Sequence, residues 1–263
     1  MRFLFRPVIH VLQEIGSVVW LLIYTIQEVM VRAARGRAPV RMSILFAQTE
    51  RAGVGSVPIV AMVSFFLGLT MALLTGYQLK PYGTERLVPG LVGISFTREL
   101  GPLLTGIMVA ARIGAAYTAE LGTMKVSDEV EALEAMGIGA LRYLVSPRLL
   151  SVTLLLPCLF VVSCVAALGG AALISQFSLN ISLFYFHDLL LNSLYVRDII
   201  SGILKSILFG LIIGLIACYK GLAVRGGAEG VGTSTTSSVV VAITTVIGTD
   251  TLLNMIMFTG GPQ

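Results

Sequence analysis

Charged side chains are scarce in this sequence. Of its 263 residues, 12% are Asp, Glu, Lys or Arg and 56% are hydrophobic, and the mean hydropathy is +0.92. Soluble domains carry about 25% charged residues, and a water-soluble protein with so few could not cover its surface with polar groups. The composition therefore excludes an ordinary soluble domain and predicts a polytopic membrane protein.

The residue types of catalytic and metal sites are few as well. Cys158, Cys164 and Cys218 lie inside apolar segments and form no C-x-x-C pair, which argues against a disulfide framework or a zinc site. The two histidines, His10 and His187, belong to no H-E-x-x-H motif, and no G-x-S-x-G motif occurs. We therefore predict no catalytic residue, no metal ligand and no cofactor, and a membrane-embedded enzyme is a weak hypothesis.

A phosphate-binding loop is also missing. No G-x-x-x-x-G-K-S/T motif occurs in the sequence, so any ATP hydrolysis that drives this protein must take place on another chain. The net charge of +4 does not indicate nucleic-acid binding, because the basic residues lack the clustering and interleaved aromatic residues of such sites. On a membrane protein this charge is typical of basic cytoplasmic loops.

Long apolar segments are what the sequence has in abundance. Five of them approach or exceed the ~20 residues that a helix needs to cross a bilayer. Pro102 and Pro147 stand near the starts of two of these segments, where a missing N–H costs least. We therefore expect an all-α protein with five transmembrane helices. The five segments are Val54–Leu79, Glu99–Leu121, Leu144–Ile174, Ile199–Tyr219 and Ser238–Phe258.

The first 53 residues are expected to lie outside this spanning core. In residues 1–31 an apolar pattern at helical spacing is interrupted by polar residues such as Glu14 and Glu28, which suits an amphipathic helix in the membrane interface. A cleaved signal peptide fits less well, because the apolar run is too long and no small-x-small cleavage site follows. Residues 32–41 hold four arginines, which indicates a cytoplasmic loop.

The basic residues indicate an orientation. With the N-terminus in the cytoplasm, five crossings leave the C-terminus outside, and residues 122–143 then lie in the cytoplasm and residues 80–98 and 175–198 outside. Twelve basic residues fall inside and four outside, with two within the membrane, and this bias supports the orientation. The inside set is Arg2, Arg6, Arg32, Arg35, Arg37, Arg41, Arg51, Lys125, Arg142, Arg148, Lys220 and Arg225; the outside set is Lys80, Arg86, Arg98 and Arg197; Arg112 and Lys205 lie between.

Two of the predicted spans carry a small residue at every fourth position. Such stripes let helix backbones approach closely, either within one subunit or at the seam of a homodimer, and the spacing leaves both readings open. The stripes are Gly106, Ala110, Gly114, Thr118 and Gly122 in the second span, and Gly202, Ser206, Gly210, Gly214 and Cys218 in the fourth.

An acidic segment separates the second and third spans. Ser127 is expected to cap a short helix that stops at Gly137. This helix either docks into a basic groove of a partner protein or is a solvated loop helix. Its acidic and apolar residues occupy different faces, with Asp128, Glu131 and Glu134 on one and Val130, Leu133 and Met136 on another.

The resemblance to a known family rests on two adjacent segments. ELGTMKVSDEVEALEAMGIGALRYLVSPR, Glu120–Arg148, resembles the signature of the MlaE family of permeases, and FTRELGPLLTGIMVAARIGAAYTAE, Phe96–Glu120, is similar to the segment that precedes it. These permeases are membrane subunits of ABC transporters that move phospholipid between the inner and outer membranes and maintain outer-membrane lipid asymmetry. The resemblance implies one permease domain over residues 1–263, with an interfacial and cytoplasmic region at 1–53 and a transmembrane core at 54–263.

The resemblance also implies partners and a location. The permease would be a homodimer in the bacterial inner membrane, with two copies of a cytoplasmic ABC ATPase below it. A hexameric ring of a periplasmic MCE-domain protein would lie above it, and a small STAS-domain protein is often bound to the ATPase. The acidic segment would be the coupling helix that grips the ATPase, with the contact formed by Ser127, Asp128, Glu131, Glu134, Met136 and Gly137.

Ionisable residues within the spans are costly and are functional hypotheses by default. The resemblance assigns Arg98, Glu99 and Lys205 to the lipid path. Lys205 and Asp250 lie ~9 and ~12 Å from the outer ends of their spans at 1.5 Å per residue, so a Lys205–Asp250 pair is geometrically reasonable and Asp250 joins the path. The alternative role for all four is a set of buried ion pairs that fixes helix register.

Other residues complete the expected site. Leu73, Tyr77, Leu79 and Tyr82 at the end of the first span would line an outward-facing lipid cavity at the dimer axis, although tyrosines are also ordinary membrane anchors. Arg112 and Glu120, deeper toward the cytoplasm, are expected to form structural ion pairs.

Two alternatives to a phospholipid permease remain. One is an ABC permease for another lipophilic cargo, such as a sterol or a hydrocarbon. The other is a secondary transporter, which would show inverted repeats or a string of polar residues at the midplane, and no clear repeat is visible.

Overall fold

The computed structural model describes residue 16, residues 42–137 and residues 139–259. Within these ranges every regular element is helical, which confirms the all-α prediction. The interfacial helix predicted within residues 1–31 and the basic loop at residues 32–41 lie outside the described residues, apart from the single position 16.

Five helices are long and apolar enough to cross a membrane, which confirms a multi-pass membrane protein. The first four contain the predicted segments and extend beyond them at both ends, and the fifth begins before its predicted segment and ends at Met257, one residue short of the predicted Phe258. The helices extend because propagation adds one hydrogen bond with each further residue once a helix has formed. In chain order, the first to fifth spans are Leu45–Tyr82, Glu85–Val126, Leu141–Ser178, Val196–Leu222 and Gly227–Met257.

The second span is built in sections. Its α-helices Val88–Ser95, Gly101–Val109 and Ala115–Val126 are joined by two π-helical turns, Phe96–Leu100 and Ala110–Gly114. Such turns insert one residue into the helical ladder and often mark functional sites. Here they carry three of the span's charged residues, with Arg98 and Glu99 in the first turn and Arg112 in the second.

Proline explains where two of the π-helical turns lie. Gly101 donates its N–H to Phe96 O five residues back, and Ser146 donates to Leu141 O in the same way after a third π-helical turn, Leu141–Val145, at the start of the third span. The next residue in each case is proline, Pro102 and Pro147. Because proline has no N–H for the carbonyl four residues before it, the helix is released from α-helical bonding at that point. The turn before Pro102 lies within the second span, so the span begins well before the predicted Glu99.

The segments at 80–98 and 175–198, which were predicted to lie outside, are largely helical. The α-helix Leu183–Ser193 begins at Ser182, whose Oγ accepts the Tyr185 N–H at 3.3 Å. It packs closely on the α-helix Val88–Ser95, where a Cβ on Gly93 would lie 2.3 Å from Leu190 Cδ1. Their shared core contains Ala72, Val88, Val92, Ala171, Ile181 and Phe186.

The described chain forms two compact units, and each takes segments from several spans. The first unit contains Ala110–Val152 and Leu211–Thr245 together with residues up to Glu50, and the second contains Arg51–Val109, Thr153–Gly210 and the residues from Val246 onward. Buried apolar residues fill both. In the first unit they include Leu121, Val145, Leu149, Leu215 and Cys218.

Close helix contacts through small residues occur within each unit. In the second unit Ser64 Oγ lies 2.8 Å from Ser163 Oγ, and a Cβ on Gly68 would lie 2.0 Å from Ala167 O. The two predicted stripes also pack inside the chain: a Cβ on Gly122 of the second-span stripe would lie 2.9 Å from Val224 Cγ2, and one on Gly202 of the fourth-span stripe would lie 2.5 Å from Thr97 O. These positions therefore serve packing within one subunit.

Candidate functional site

Arg98 and Asp198 form one half of a charged cluster in the second unit. Arg98 Nε lies 2.5 Å from Asp198 Oδ1, and the Asp198 side chain is fully buried. Asp198 stands in the first turn of the fourth span, where a carboxylate is favourable to the helix dipole. Its Oδ2 also accepts the Tyr195 N–H at 3.0 Å, so the carboxylate both caps this helix and holds the π-helical turn of the second span.

Lys205 forms the other half and joins three spans. Its Nζ lies 2.8 Å from Glu99 Oε2 in the second span and 2.5 Å from Asn254 Oδ1 in the fifth. It is also 3.0 Å from Asp250 Oδ1, as a contact between charges that is not aligned as a hydrogen bond. Asn254 Nδ2 donates to Glu99 Oε2 at 2.7 Å and closes the ring. Lys205 is 2% exposed, so its charge depends on these partners.

The chemistry of this cluster is that of exchangeable ion pairs. Two cations, Arg98 and Lys205, face the three carboxylates of Glu99, Asp198 and Asp250. Glu99 keeps 33% of its side chain exposed, and Arg98 keeps 38%. An anionic group that reaches the cluster from outside can therefore replace Glu99 as the partner of Lys205, because the displaced Glu99 carboxylate is itself partly exposed.

The structure brings most of the predicted charged residues together. The predicted Lys205–Asp250 pair is confirmed. Arg98 and Glu99 are neighbours in sequence but point to different partners, Arg98 to Asp198 and Glu99 to Lys205. All four therefore belong to one polar region of the second unit.

Two members of the cluster were missed from the sequence. Asn254 is four residues after Asp250, which places both on one helix face, and this spacing was a usable signal. Asp198 stands beside Arg197 at the start of an apolar segment, a pattern equally typical of a solvated helix end. Its complete burial results from the packing of the helices and could not be predicted from the neighbouring residues in the sequence.

The four residues expected to line a lipid cavity do not share one environment. Tyr77 and Tyr82 are each 79% exposed and Leu73 is 41% exposed. Leu79 instead packs against the core that contains Val88 and Phe186. Leu79 is therefore partly buried, whereas the other three are exposed, because it packs against a core to which the helix Val88–Ser95 contributes.

The acidic helix between the second and third spans is shorter than predicted. It runs from Glu129 to Ala135, and Asp128 precedes it with a left-handed φ of 59°. The expected cap by Ser127 is wrong, because Ser127 ends the preceding helix and its Oγ bonds to Thr123 O at 3.0 Å. The predicted stop at Gly137 agrees with its φ of +74° and with its N–H donating to Glu134 O.

The acidic helix has one buried and one exposed face. Val130 is 6% exposed and packs with Leu121, Leu144 and Leu149, and Leu133 lies against the same core. Met136 is 66% exposed and does not belong to this packed face. The acidic side chains lie on the exposed face, where Glu131 is held by Lys125 at 3.0 Å.

Glu120 is paired, as expected, and its partner is Arg148 at the start of the third span, 3.1 Å away. Arg112 lies exposed in its π-helical turn. The first unit thus joins the ends of the second and third spans by an ion pair close to the acidic helix.

These features define a helical multi-pass membrane protein with a buried charged cluster. The Permease MlaE family model matches residues 45–256, and the chain belongs to this family of ABC transporter permeases. It is 35% identical over 222 residues to a probable ABC transporter permease protein of Rickettsia typhi, covering 84% of this chain and 86% of that protein. It is 32% identical over 213 residues to a probable ABC transporter permease of Synechocystis, covering 81% of each.

A plant relative is similar over a comparable length. The chloroplastic protein Trigalactosyldiacylglycerol 1 of Arabidopsis thaliana is 34% identical over 233 residues, covering 89% of this chain and 66% of that protein. The chain is thus a transporter permease and not itself an enzyme, and membership of the ABC permeases implies an ATPase partner.

Proposed function

We propose that this chain is the membrane subunit of an ABC transporter that moves phospholipid between the inner membrane and a periplasmic MCE-domain carrier. The observation that carries the proposal is the buried charged cluster of Arg98, Glu99, Asp198, Lys205 and Asp250 in a permease of the MlaE family. Intramembrane charges of this kind mark transport paths more often than they add stability.

A phospholipid matches this arrangement in both of its parts. Its phosphate is an anion that exchanges with Glu99 as the partner of Lys205, and arginine side chains such as that of Arg98 form bidentate bonds with phosphate. Its acyl chains fit the exposed apolar end of the first span, where Leu73 and Tyr77 lie. A relative that is named for a galactolipid supports a glycerolipid cargo.

The proposed partners follow from the same family membership. The permease acts as a homodimer with two copies of the ATPase, a ring of MCE-domain subunits and a STAS-domain subunit bound to the ATPase. Glu131 and Glu134 of the acidic helix provide the ATPase contact, and both are exposed. Ser127, Asp128, Met136 and Gly137 delimit this contact surface.

The proposed location is the bacterial inner membrane, with the N-terminus in the cytoplasm and the C-terminus in the periplasm. The excess of basic residues on one side supports this orientation. It places the acidic helix on the side where ATP is available, and the helix Leu183–Ser193 on the side of the carrier. Residues 1–263 act as one permease domain in this proposal.

Photocrosslinking tests the lipid path. A crosslinking amino acid at Tyr77 or Leu73 in the assembled complex is expected to yield phospholipid adducts, because both side chains are exposed beside the proposed path. The matched control is Phe46, an exposed apolar side chain near the other end of the first span. Adducts at Phe46 together with none at Tyr77 and Leu73 would refute this placement.

Head-group dependence separates phospholipid from other lipophilic cargo. A sterol or hydrocarbon has no anion for Lys205, so its transfer would not depend on the cluster. Transfer of phospholipid by purified complex in vesicles is expected to fall in Lys205→Met. Equal phospholipid transfer by the variant and the native complex would refute recognition of the head group by Lys205, and no phospholipid transfer by the native complex would favour an uncharged cargo.

A further inference from the structure

Arg148 is buried at the point where the second and third spans approach each other in the first unit. The residue is 7% exposed. Its Nη2 donates to Glu120 Oε2 at 3.1 Å, and its Nη1 donates to Leu144 O at 3.0 Å. Its guanidinium also lies over the Tyr117 ring, 5.7 Å from the centroid. One side chain thus bonds to the second span, to the π-helical turn of the third span and to an aromatic face.

A second set of hydrogen bonds closes this arrangement. Tyr117 Oη lies 2.9 Å from Ser151 Oγ, and Ser151 Oγ donates to Arg148 O at 2.9 Å. Tyr117 therefore contacts the third span at both its ring and its hydroxyl group. Only an arginine has the planar fork that reaches a carboxylate and a carbonyl together while stacking on an aromatic ring.

The acidic helix rests on the residues around this ion pair. Its buried residue Val130 packs in one core with Leu121, which follows Glu120, and with Leu144 and Leu149, which flank the Arg148 contacts. Leu144 contributes its side chain to this core and its carbonyl oxygen to Arg148. A displacement of the acidic helix therefore acts on the residues that Arg148 holds together.

We propose that Arg148 is a positioning residue for coupling, which clamps the ends of the second and third spans so that both follow the acidic helix as one body. This inference rests on the proposed contact between the acidic helix and an ATPase. Arg148 touches neither nucleotide nor lipid, and it acts through Glu120, Tyr117 and Leu144. Without these contacts of Arg148, the acidic helix moves relative to the ends of the second and third spans. Less of the displacement of the acidic helix is then transmitted to the two spans.

The test compares two rates in one preparation. The full complex is reconstituted in phospholipid vesicles, and both ATP hydrolysis and lipid transfer are measured per assembled complex. Arg148→Lys keeps a charge for Glu120 but lacks the planar fork that bonds to Glu120 and to Leu144 O through two separate nitrogens while stacking on Tyr117. We expect ATP hydrolysis to stay within about twofold of native while lipid moved per ATP falls about fivefold or more, the scale of a typical coupling energy.

Two further variants keep the test decisive. Arg51→Met removes an exposed arginine of the second unit and is expected to leave the ratio of lipid to ATP unchanged. Glu120→Gln changes the partially exposed member of the Arg148–Glu120 pair and is expected to lower the ratio of lipid moved to ATP hydrolysed. This variant replaces Arg148→Lys in the test if the Arg148→Lys complex does not assemble. A native ratio in assembled Arg148→Lys or in Glu120→Gln would overturn the proposal, since a residue needed only for stability changes the yield of complex and not its coupling.

Failure of this inference can be told apart from failure of the proposed function. If Glu131→Lys and Glu134→Lys do not weaken ATPase binding, the acidic helix is not the ATPase contact and the basis of the inference is removed. If they weaken it and Arg148→Lys still couples normally, only the clamp is refuted.

Discussion

Lys205 and Glu99 are 106 residues apart in the sequence, and Lys205 Nζ lies 2.8 Å from Glu99 Oε2. Asp250 and Asn254 approach the same Nζ from the fifth span. One cation is therefore the point at which three spans meet. Removing it leaves two carboxylates side by side in a mostly buried region.

Lys205→Met is expected to destabilise the protein and to reduce lipid transfer. Loss of one partner of a buried ion pair costs about 3–5 kcal/mol, since the remaining charge is uncompensated. The measurement is the thermal unfolding midpoint of the purified protein in detergent. Lys80→Met removes an exposed lysine and should leave the midpoint nearly unchanged, and equal midpoints for the two variants would contradict the role of Lys205.

A second change tests the origin of that loss. Asp250→Asn added to Lys205→Met removes one of the two uncompensated carboxylates. The double variant is expected to recover part of the decrease in the thermal unfolding midpoint that Lys205→Met causes. The double-mutant cycle gives the interaction energy of the pair, expected to be about 0.5–3 kcal/mol. Additive effects would indicate that Lys205 acts through Glu99 and Asn254 instead.

Asp198→Asn is expected to weaken the junction between the second and fourth spans. The amide cannot neutralise Arg98, and it replaces a fully buried carboxylate that also accepts the Tyr195 N–H. The unfolding midpoint should fall well below that of Asp188→Asn, which changes an exposed aspartate of the helix Leu183–Ser193. A midpoint no lower than that of Asp188→Asn would show that the Arg98–Asp198 pair adds little.

Two adjacent glycines of the third span should respond in opposite ways to alanine. A Cβ on Gly170 would lie 2.2 Å from Phe65 O, a backbone atom that cannot move aside, whereas a Cβ on Gly169 meets nothing within 4 Å among the described atoms. Gly170→Ala is expected to cost about 1–3 kcal/mol or more. Gly169→Ala should be neutral or should gain up to about 1 kcal/mol from helix propensity. Thermal unfolding of the two variants checks this, and equal midpoints would refute the close approach of the first and third spans.

Glu131→Lys and Glu134→Lys are expected to reduce the amount of ATPase that copurifies with the tagged permease. Each reverses one charge on the exposed face of the acidic helix without touching Val130. Asp188→Lys makes the same type of change at an exposed position of the second unit and should leave copurification unchanged. Undiminished ATPase recovery with both glutamate variants would rule out the acidic helix as the contact.

Much of the site was visible in the sequence because it lies in an apolar background. Charges within spans are few, so Arg98, Glu99, Lys205 and Asp250 stood out, and counting residues from the span ends placed Lys205 and Asp250 at similar depths. The same reasoning failed for Asp198 at a span terminus. The depth of a residue in the membrane can be estimated by counting residues along the chain. Which face of a helix is buried by a neighbouring helix cannot be found in this way.

The acidic helix also has one feature that the sequence predicted and one that depends on tertiary packing. Gly137 was predictable as its end, because glycine readily adopts the left-handed backbone of a helix stop. Ser127 was a reasonable cap by residue type, yet its hydroxyl group bonds back to the preceding helix. Two helices, Ala115–Val126 and Glu129–Ala135, meet at this position, and Val130 of the second packs in one core with Leu121 of the first.

The sequence by itself determined the class of protein, the number of spans and the position of most charges within them, because hydropathy and chain length act locally and need no knowledge of neighbours. Only the packing of the helices decided that Arg98 and Glu99 bond to different partners, that Leu79 is partly buried while Tyr77 is exposed, and that Arg148 joins Glu120 and Leu144. These outcomes depend on which helix faces meet. That choice is made by close packing over the whole fold, with glycines such as Gly68 and Gly170 setting how near the backbones come.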